Sequence, residues 1–306
     1  MTIRIGTRGS DLALAQALAV QRDLEAMGES TELVIVKTTG DLDLSRSFAD
    51  LGPAGVFAVE LRVALLSDEV DIAVHSAKDL PSQSPEGLVI AAAPERVAPH
   101  DRLLIRADHH TPDAIGLPLA EGARLGTAAA RRTALAKSVR PDLDIQTLRG
   151  NVPTRIKKLR DGEHDAILLA AAGLDRLAAS ALRGECAPPD LSGLVIHELN
   201  PEEFTPAPGQ GAIAIEAREG DPAAEVAARL NDPSARRCLD AERVVLATVD
   251  AGCHTPFGAW CREYDPGLAM NAFLVVDGEL RRAGARGEDP DILGSIIAAE
   301  LLTGPS

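Results

Sequence analysis

Val70-Asp71-Ile72-Ala73-Val74-His75-Ser76-Ala77-Lys78-Asp79-Leu80-Pro81 reads as a short strand, Val70 to His75, that runs out into a polar turn closed by proline. Working outward, Val56 to Leu66 has the composition of a helix and Leu88 to Ala92 that of another strand. On the N-terminal side, Ile3 to Gly6 is a strand and Ser10 caps a helix running to about Met27, with Leu14, Ala17 and Leu18 on one face. Leu33 to Thr38 is a further strand. Strands alternating with helices predict a parallel or mixed sheet.

After the proline-flanked stretch Pro94 to Pro99 the pattern starts again. Ala123 to Gly126 leads to Thr127 and to Arg131-Arg132 on a helix, Asp144 to Leu148 leads to Arg149-Gly150-Asn151 and Arg155, and Ala166 to Ala170 leads to Gly173 and Arg176. Pro206-Ala207-Pro208-Gly209-Gln210-Gly211 reads as a second crossing, so the strand Ala212 to Glu216 should return to the first unit. From about Pro233 a third segment is predicted: a helix to Asp250, strands near Ala259 to Tyr264, Ala269 to Val276 and Leu280 to Ala285, and a last helix from Pro290. The expected fold class is α/β, two hinged doubly wound α/β domains of periplasmic-binding-protein type plus a small C-terminal α+β domain. The expected boundaries are 1–96 with 210–230, 97–209, and 231–306.

Open α/β sheets bind ligands at the carboxyl ends of their strands, where helix N-termini add oriented N–H groups. Arginines stand at four such junctions: Arg8, the Arg131-Arg132 pair, Arg149 with Arg155, and Arg176. The chain holds only five lysines, so 26 of its 31 basic residues carry the planar fork that grips carboxylates bidentately. A shared cleft for a multiply negative ligand follows. Nucleic acid is a poor partner, because the net charge is −15 and seven aromatic side chains offer little for base stacking. No phosphate-binding glycine loop and no metal-ligand spacing occurs, and no apolar run reaches the ~20 residues needed to span a bilayer. With no signal peptide preceding Ile3, the expected location is the cytoplasm. Cys186, Cys238, Cys253 and Cys261 are read as thiols. Cys253 lies in a turn, Asp250 to Gly258, where partial exposure favours chemistry over packing.

In order along the chain, Gly6-Thr7-Arg8-Gly9-Ser10, Asp71 to Pro81, Gly126-Thr127 with Arg131-Arg132, Leu148-Arg149-Gly150-Asn151-Val152 with Thr154-Arg155, Ala171 to Leu177, Pro208-Gly209-Gln210-Gly211-Ala212, and Gly252-Cys253 resemble the motifs of hydroxymethylbilane synthase, also called porphobilinogen deaminase. The resemblance implies a dipyrromethane cofactor joined through a thioether to Cys253. It implies stepwise addition of four porphobilinogen units with loss of ammonia, then hydrolytic release of linear 1-hydroxymethylbilane. It also implies that Asp79 stabilises the cationic transition state, and that Arg8, Ser10, Ser76, Lys78, Thr127, Arg131, Arg132, Arg149, Arg155, Arg176, Gln210 and Gly252 bind cofactor or substrate. A monomer with no metal is expected.

His75 reads as a satisfied structural histidine. Read without the resemblance, Asp79 is better explained as a cap for the turn before Pro81. Three features depart from the family pattern: Ala128-Ala129 where relatives carry hydroxyls, Ala54 where they often carry lysine, and His254 after the cysteine. The competing reading is a cytosolic anion-binding relative that keeps the two-domain clamp without turnover.

Overall fold

The computed structural model describes residues 2–37, 56–251 and 255–304. β1 (Thr2–Thr7), α1 (Asp11–Ala26), β2 (Ser30–Ile35), α2 (Val56–Leu66), β3 (Ile72–Ser76) and β4 (Leu88–Ala92) alternate as expected. Ser10 is the N-cap of α1, its hydroxyl accepting the Ala13 N–H. β2 starts three residues before the predicted Leu33, because Ser30 to Ile35 all find register partners on β1.

The second unit holds β5 (Asp101–Arg106), β6 (Arg124–Gly126), α3 (Ala130–Val139), β7 (Asp144–Gln146), α4 (Val152–Arg160), β8 (Ala166–Ala170), α5 (Ala171–Leu182) and β9 (Leu194–Glu198). Neither β5 nor β9 follows from the strand-helix alternation, since β5 is succeeded only by a single 3₁₀ turn, Ala107–His109, and β9 by no helix before β10. β10 (Ile213–Arg218) then re-enters the first sheet, antiparallel to both β3 and β4, as the second crossing requires.

The two sheets share one topology. Their strand orders are β2-β1-β3-β10-β4 and β7-β6-β8-β5-β9, with the antiparallel strand in the same place in each. The chemistry repeats too. Arg4 on β1 binds Asp71 just before β3 through Nε at 3.1 Å and Nη2 at 2.6 Å, and Arg124 on β6 binds Asp165 just before β8 at 3.2 and 2.6 Å. Each pair clips a parallel strand to its neighbour at the end remote from the ligand-binding edge. At the opposite edge a Gly-Thr pair closes β1 (Gly6-Thr7) and spans the end of β6 (Gly126-Thr127), and the position after the threonine is Arg8 in one unit and Ala128 in the other.

α6 (Pro222–Ala228) and α7 (Pro233–Thr248) lead into an antiparallel meander of β11 (Phe257–Glu263), β12 (Leu268–Val276) and β13 (Glu279–Gly287), covered by α8 (Pro290–Thr303). One face of this small sheet packs Cys261, Met270, Ala272 and Ala283 against α7 and α8. Phe273, pointing to the other face, is buried in the core of the second unit beside Phe204 and Leu199. The third sheet is therefore docked by burial of a large aromatic, a contribution of about 1.5–3 kcal/mol. No described helix is long and apolar enough to cross a membrane.

Two glycines explain how the crossings lie so close. Gly209 has φ +70°, and a Cβ there would stand 3.0 Å from the Ala77 and Lys78 backbone; at Gly211, φ +88°, it would stand 2.3 Å from the Val97 carbonyl oxygen. A side chain at Gly211 would force the two crossings apart.

Candidate functional site

The carboxyl ends of β1 and β3 carry the first-unit residues. Arg8, Gln16, His75, Ser76 and Asp79 line one small cavity there. The Ser76 hydroxyl accepts from Gln16 Nε2 at 2.8 Å, which fixes it at the cavity wall. Asp79 ends a single 3₁₀ turn, Ala77–Asp79, and its side chain is exposed. The Leu80 N–H bonds to the Ala77 carbonyl, so backbone alone closes this turn. Beneath it His75 is buried, as expected of a structural histidine, but its Nε2 stands 3.2 Å from Oε2 of the fully buried Glu216 without the geometry of a hydrogen bond, so at this nitrogen the histidine is not satisfied as expected. Burial would raise the Glu216 pKa, but the nearby His75 ring and the bonds from both ends of the Arg62 fork hold it at about 2.

Lys78 is exposed at the surface, yet the protein packed around its ammonium group desolvates it enough to push its pKa down to about 8. The neighbouring Asp79 charge opposes the shift, as does Asp101, while Arg132 and Arg131 add to it. Because Asp101 and the arginines belong to the second unit, the two units face each other here. Arg155 confirms the juxtaposition: burial and the Arg132 charge lower its pKa to about 10, against the attraction of Asp79 across the cleft.

On the second-unit side the predicted arginines divide. Arg131 and Arg132 stand in the first turn of α3 and are buried. Their Nη2 atoms donate to the two oxygens of Asp101, each at 2.7 Å, and their Nη1 atoms to the carbonyls of Thr205 at 2.8 Å and Leu168 at 2.9 Å. Burial would raise the pKa of Asp101, but the two guanidinium charges hold it well below the usual carboxylate range. Arg132 Nε is buried and has no hydrogen-bond partner. Arg149 and Arg155 are only half-buried; Arg155 Nε bonds to the Gly150 carbonyl at 2.7 Å.

Three other predicted residues hold the framework. Thr127 is buried, and its hydroxyl accepts the N–H of Ala129, the N-cap residue of α3, at 3.2 Å, which fixes the chain where it enters a helix that has no side-chain cap. Arg176, its pKa lowered by burial to about 10, donates to the Gly211 carbonyl at 2.8 Å. Gln210 was expected on ligand; instead its Nε2 donates to the Pro99 carbonyl at 2.7 Å and to Asp101 at 2.9 Å, tying one crossing to the other. Gly252, Cys253, His254 and Ala54 lie outside the described residues. The cysteine turn is bracketed by α7, which ends at Thr248, and β11, which begins at Phe257. Cys238 and Cys261 are buried free thiols, and their mutual hydrogen bond together with burial pushes the Cys261 pKa up.

Sequence reasoning missed Asp101, Glu216 and Glu242, all fully buried carboxylates. The one available signal was Asp101 itself, an acidic residue that with Arg102 precedes the apolar run Leu103-Leu104-Ile105 at the end of the first crossing.

Fold and cleft together define a two-unit α/β clamp with arginines at its facing edges, and a third, smaller sheet docked at its side. Residues 3–226 match the family model described as porphobilinogen deaminase, dipyromethane cofactor binding domain, and residues 236–303 match the porphobilinogen deaminase C-terminal domain. The porphobilinogen deaminase of Roseiflexus castenholzii is 40% identical, across 98% of this chain and 96% of that one. That of Syntrophobacter fumaroxidans is 41% identical, across 98% and 94%. The chain belongs to the porphobilinogen deaminase family.

Proposed function

We propose that the chain is a hydroxymethylbilane synthase that deaminates and links four porphobilinogen molecules on a dipyrromethane joined to Cys253, then releases linear 1-hydroxymethylbilane by hydrolysis. The observation that carries this reading is the buried Arg131-Arg132 pair, in which one carboxylate faces two guanidinium charges and Arg132 Nε has no protein partner. The pair retains one net positive charge and one orphaned donor, a demand that a carboxylate-bearing group meets. A dipyrromethane, with an acetate and a propionate on each ring, fits.

When bound, that group supplies a pyrrole carbon as the nucleophile. Arg131 and Arg132 hold its carboxylates on the second-unit side, with Thr127 supporting the helix that carries them. Arg8, Ser10, Ser76 and Lys78 hold carboxylates from the first unit, and Arg149 and Arg155 those of the incoming porphobilinogen. Ionised bidentate pairs of this kind are roughly twice as strong as neutral hydrogen bonds. Asp79 stabilises positive charge that develops as ammonia leaves the substrate, an interaction worth most in the transition state. Arg176 and Gln210 keep the crossings in register with the site. In this reading the three sheets are the cores of domains 1–96 with 210–230, 97–209, and 231–306, and the enzyme acts as a cytoplasmic monomer.

Intact-protein mass tests the proposal. Protein purified from cells should exceed its sequence mass by two porphobilinogen units less two ammonias, and Cys253→Ser should lose the increment. Alanine at Cys186, Cys238 or Cys261 should keep it. An unmodified wild-type chain that still turns over would overturn the assignment, and an unmodified inactive one would favour a bare anion binder.

A further inference from the structure

We infer that Asp101 is the positioning residue of the Arg131-Arg132 pair, and that its carboxylate couples the pair to both inter-unit crossings. The inference rests on the proposed cofactor role of that pair. Asp101 is fully buried at the first position of β5, immediately after the crossing that ends at Pro99. Its two oxygens are divided between the arginines: Oδ2 accepts from Arg131 and Oδ1 from Arg132, each at 2.7 Å. Neither contact is a two-pronged fork. Each guanidinium is pinned by one terminal nitrogen to Asp101 and by the other to a backbone carbonyl. Both planes are thereby fixed before any ligand arrives, and of the remaining donors Arg132 Nε is buried without a partner.

Charge balance argues the same way. Two guanidinium groups this close repel, and burial without an anion is costly for each. A second protein carboxylate would neutralise the pair fully and leave no attraction for a ligand. One carboxylate holds them together and leaves one charge unanswered.

Oδ1 also accepts Gln210 Nε2 at 2.9 Å, and the same amide nitrogen donates to the Pro99 carbonyl at 2.7 Å. Gln210 lies between Gly209 and Gly211, whose backbones abut Lys78 and Val97. A shift of either crossing therefore displaces the atom on which both arginines are hung.

The test uses full-length apoprotein, produced without a source of porphobilinogen and then given porphobilinogen, with loading followed by intact mass. Asp101→Asn should keep the wild-type circular dichroism and load roughly 10- to 100-fold more slowly, the scale of one lost charged hydrogen bond. Arg132→Leu should slow loading by itself but add little in the Asp101→Asn background, because Asp101 acts through that arginine. Wild-type loading by Asp101→Asn, or fully additive defects in the double variant, would overturn the inference. If the Asn variant does not fold, Asp101→Glu carries the test, since it keeps the charge but displaces it by one methylene. Slower loading with an unchanged fold supports positioning, and wild-type loading refutes it. Failure of the proposed function looks different, because then the wild-type chain itself would gain no mass.

Discussion

Asp79 stands in a turn that closes without its side chain, which leaves the carboxylate at the cleft with Lys78 on one side and Arg155 opposite. The turn-cap reading of Asp79 thus loses its main support. Removing one preorganised electrostatic partner of a cationic transition state should cost roughly 10²-fold or more in kcat, about 3 kcal/mol. Asp79→Ala should show that loss while remaining folded and loaded. Asp79→Glu should retain more activity than Asp79→Asn, because charge outweighs hydrogen-bond shape here. Single-turnover rates would decide it, and near wild-type turnover by the Asn variant would exclude the role. The strand that gives way to a turn at Ser76 to Asp79 was legible in the residues themselves, whereas a role for Asp79, Lys78 and Ser76 came only with the resemblance. Asp101, Glu216 and Glu242 were not legible, since a carboxylate inside a strand or helix normally faces water. What makes their burial tolerable is an arginine distant in sequence: Arg62 lies 154 residues from Glu216, and Arg96 lies 146 from Glu242.

At the scale of elements, the strand-helix junctions were readable because each combines an apolar run, a glycine or a cap, and a helical stretch. β5 and β9 broke that rhythm. β5 is central in its sheet yet opens on Asp101-Arg102, and β9 is a half-exposed edge strand, Leu194-Val195-Ile196-His197-Glu198, with weak alternation. The junction arginines, which looked equivalent, differ once helices place them. Arg131 and Arg132 are driven into the interior by the first turn of α3, whereas Arg149 and Arg155 flank the N-cap Asn151 of α4 and remain half-exposed. Defects should therefore differ in kind. Arg132→Leu strands Asp101 with half its compensation and should yield protein largely without cofactor and less stable by about 3–5 kcal/mol, as breaking a buried pair does. Arg155→Leu should be purified loaded and stable but stall, accumulating species with fewer than four added units in intact-mass spectra. Lysine at either position keeps charge without the fork and should fall between. Indistinguishable behaviour of the two Leu variants would remove the distinction.

At the scale of the whole molecule, three sheets are held in register by one carboxylate of the third segment. Glu242, fully buried on α7, accepts Arg96 Nη1 from the first crossing at 2.6 Å, the Gly209 N–H of the second crossing at 2.6 Å, and the Cys261 N–H of β11 at 2.7 Å. Arg96 returns the favour by binding the Gln210 carbonyl through Nε at 2.9 Å. The helix that precedes the cysteine turn is in this way bonded to both chains joining the two α/β units, so that helix and the cleft share a reference. Glu242→Ala removes the acceptor for three donors and leaves Arg96, 10% exposed at its side chain, as an uncompensated buried charge. The expected cost is about 3–5 kcal/mol. For a chain of this size each kcal/mol moves the thermal midpoint by roughly 2–4 °C or less, so a drop on the order of 10 °C is expected in a cooperative melt. Arg96→Ala alone should also destabilise, and the double variant should fall well short of the sum, because the second change removes the stranded charge that made the first so costly. A Glu242→Ala protein with an unchanged midpoint, or strictly additive losses, would show that the third segment is held by Phe273 and its apolar neighbours alone.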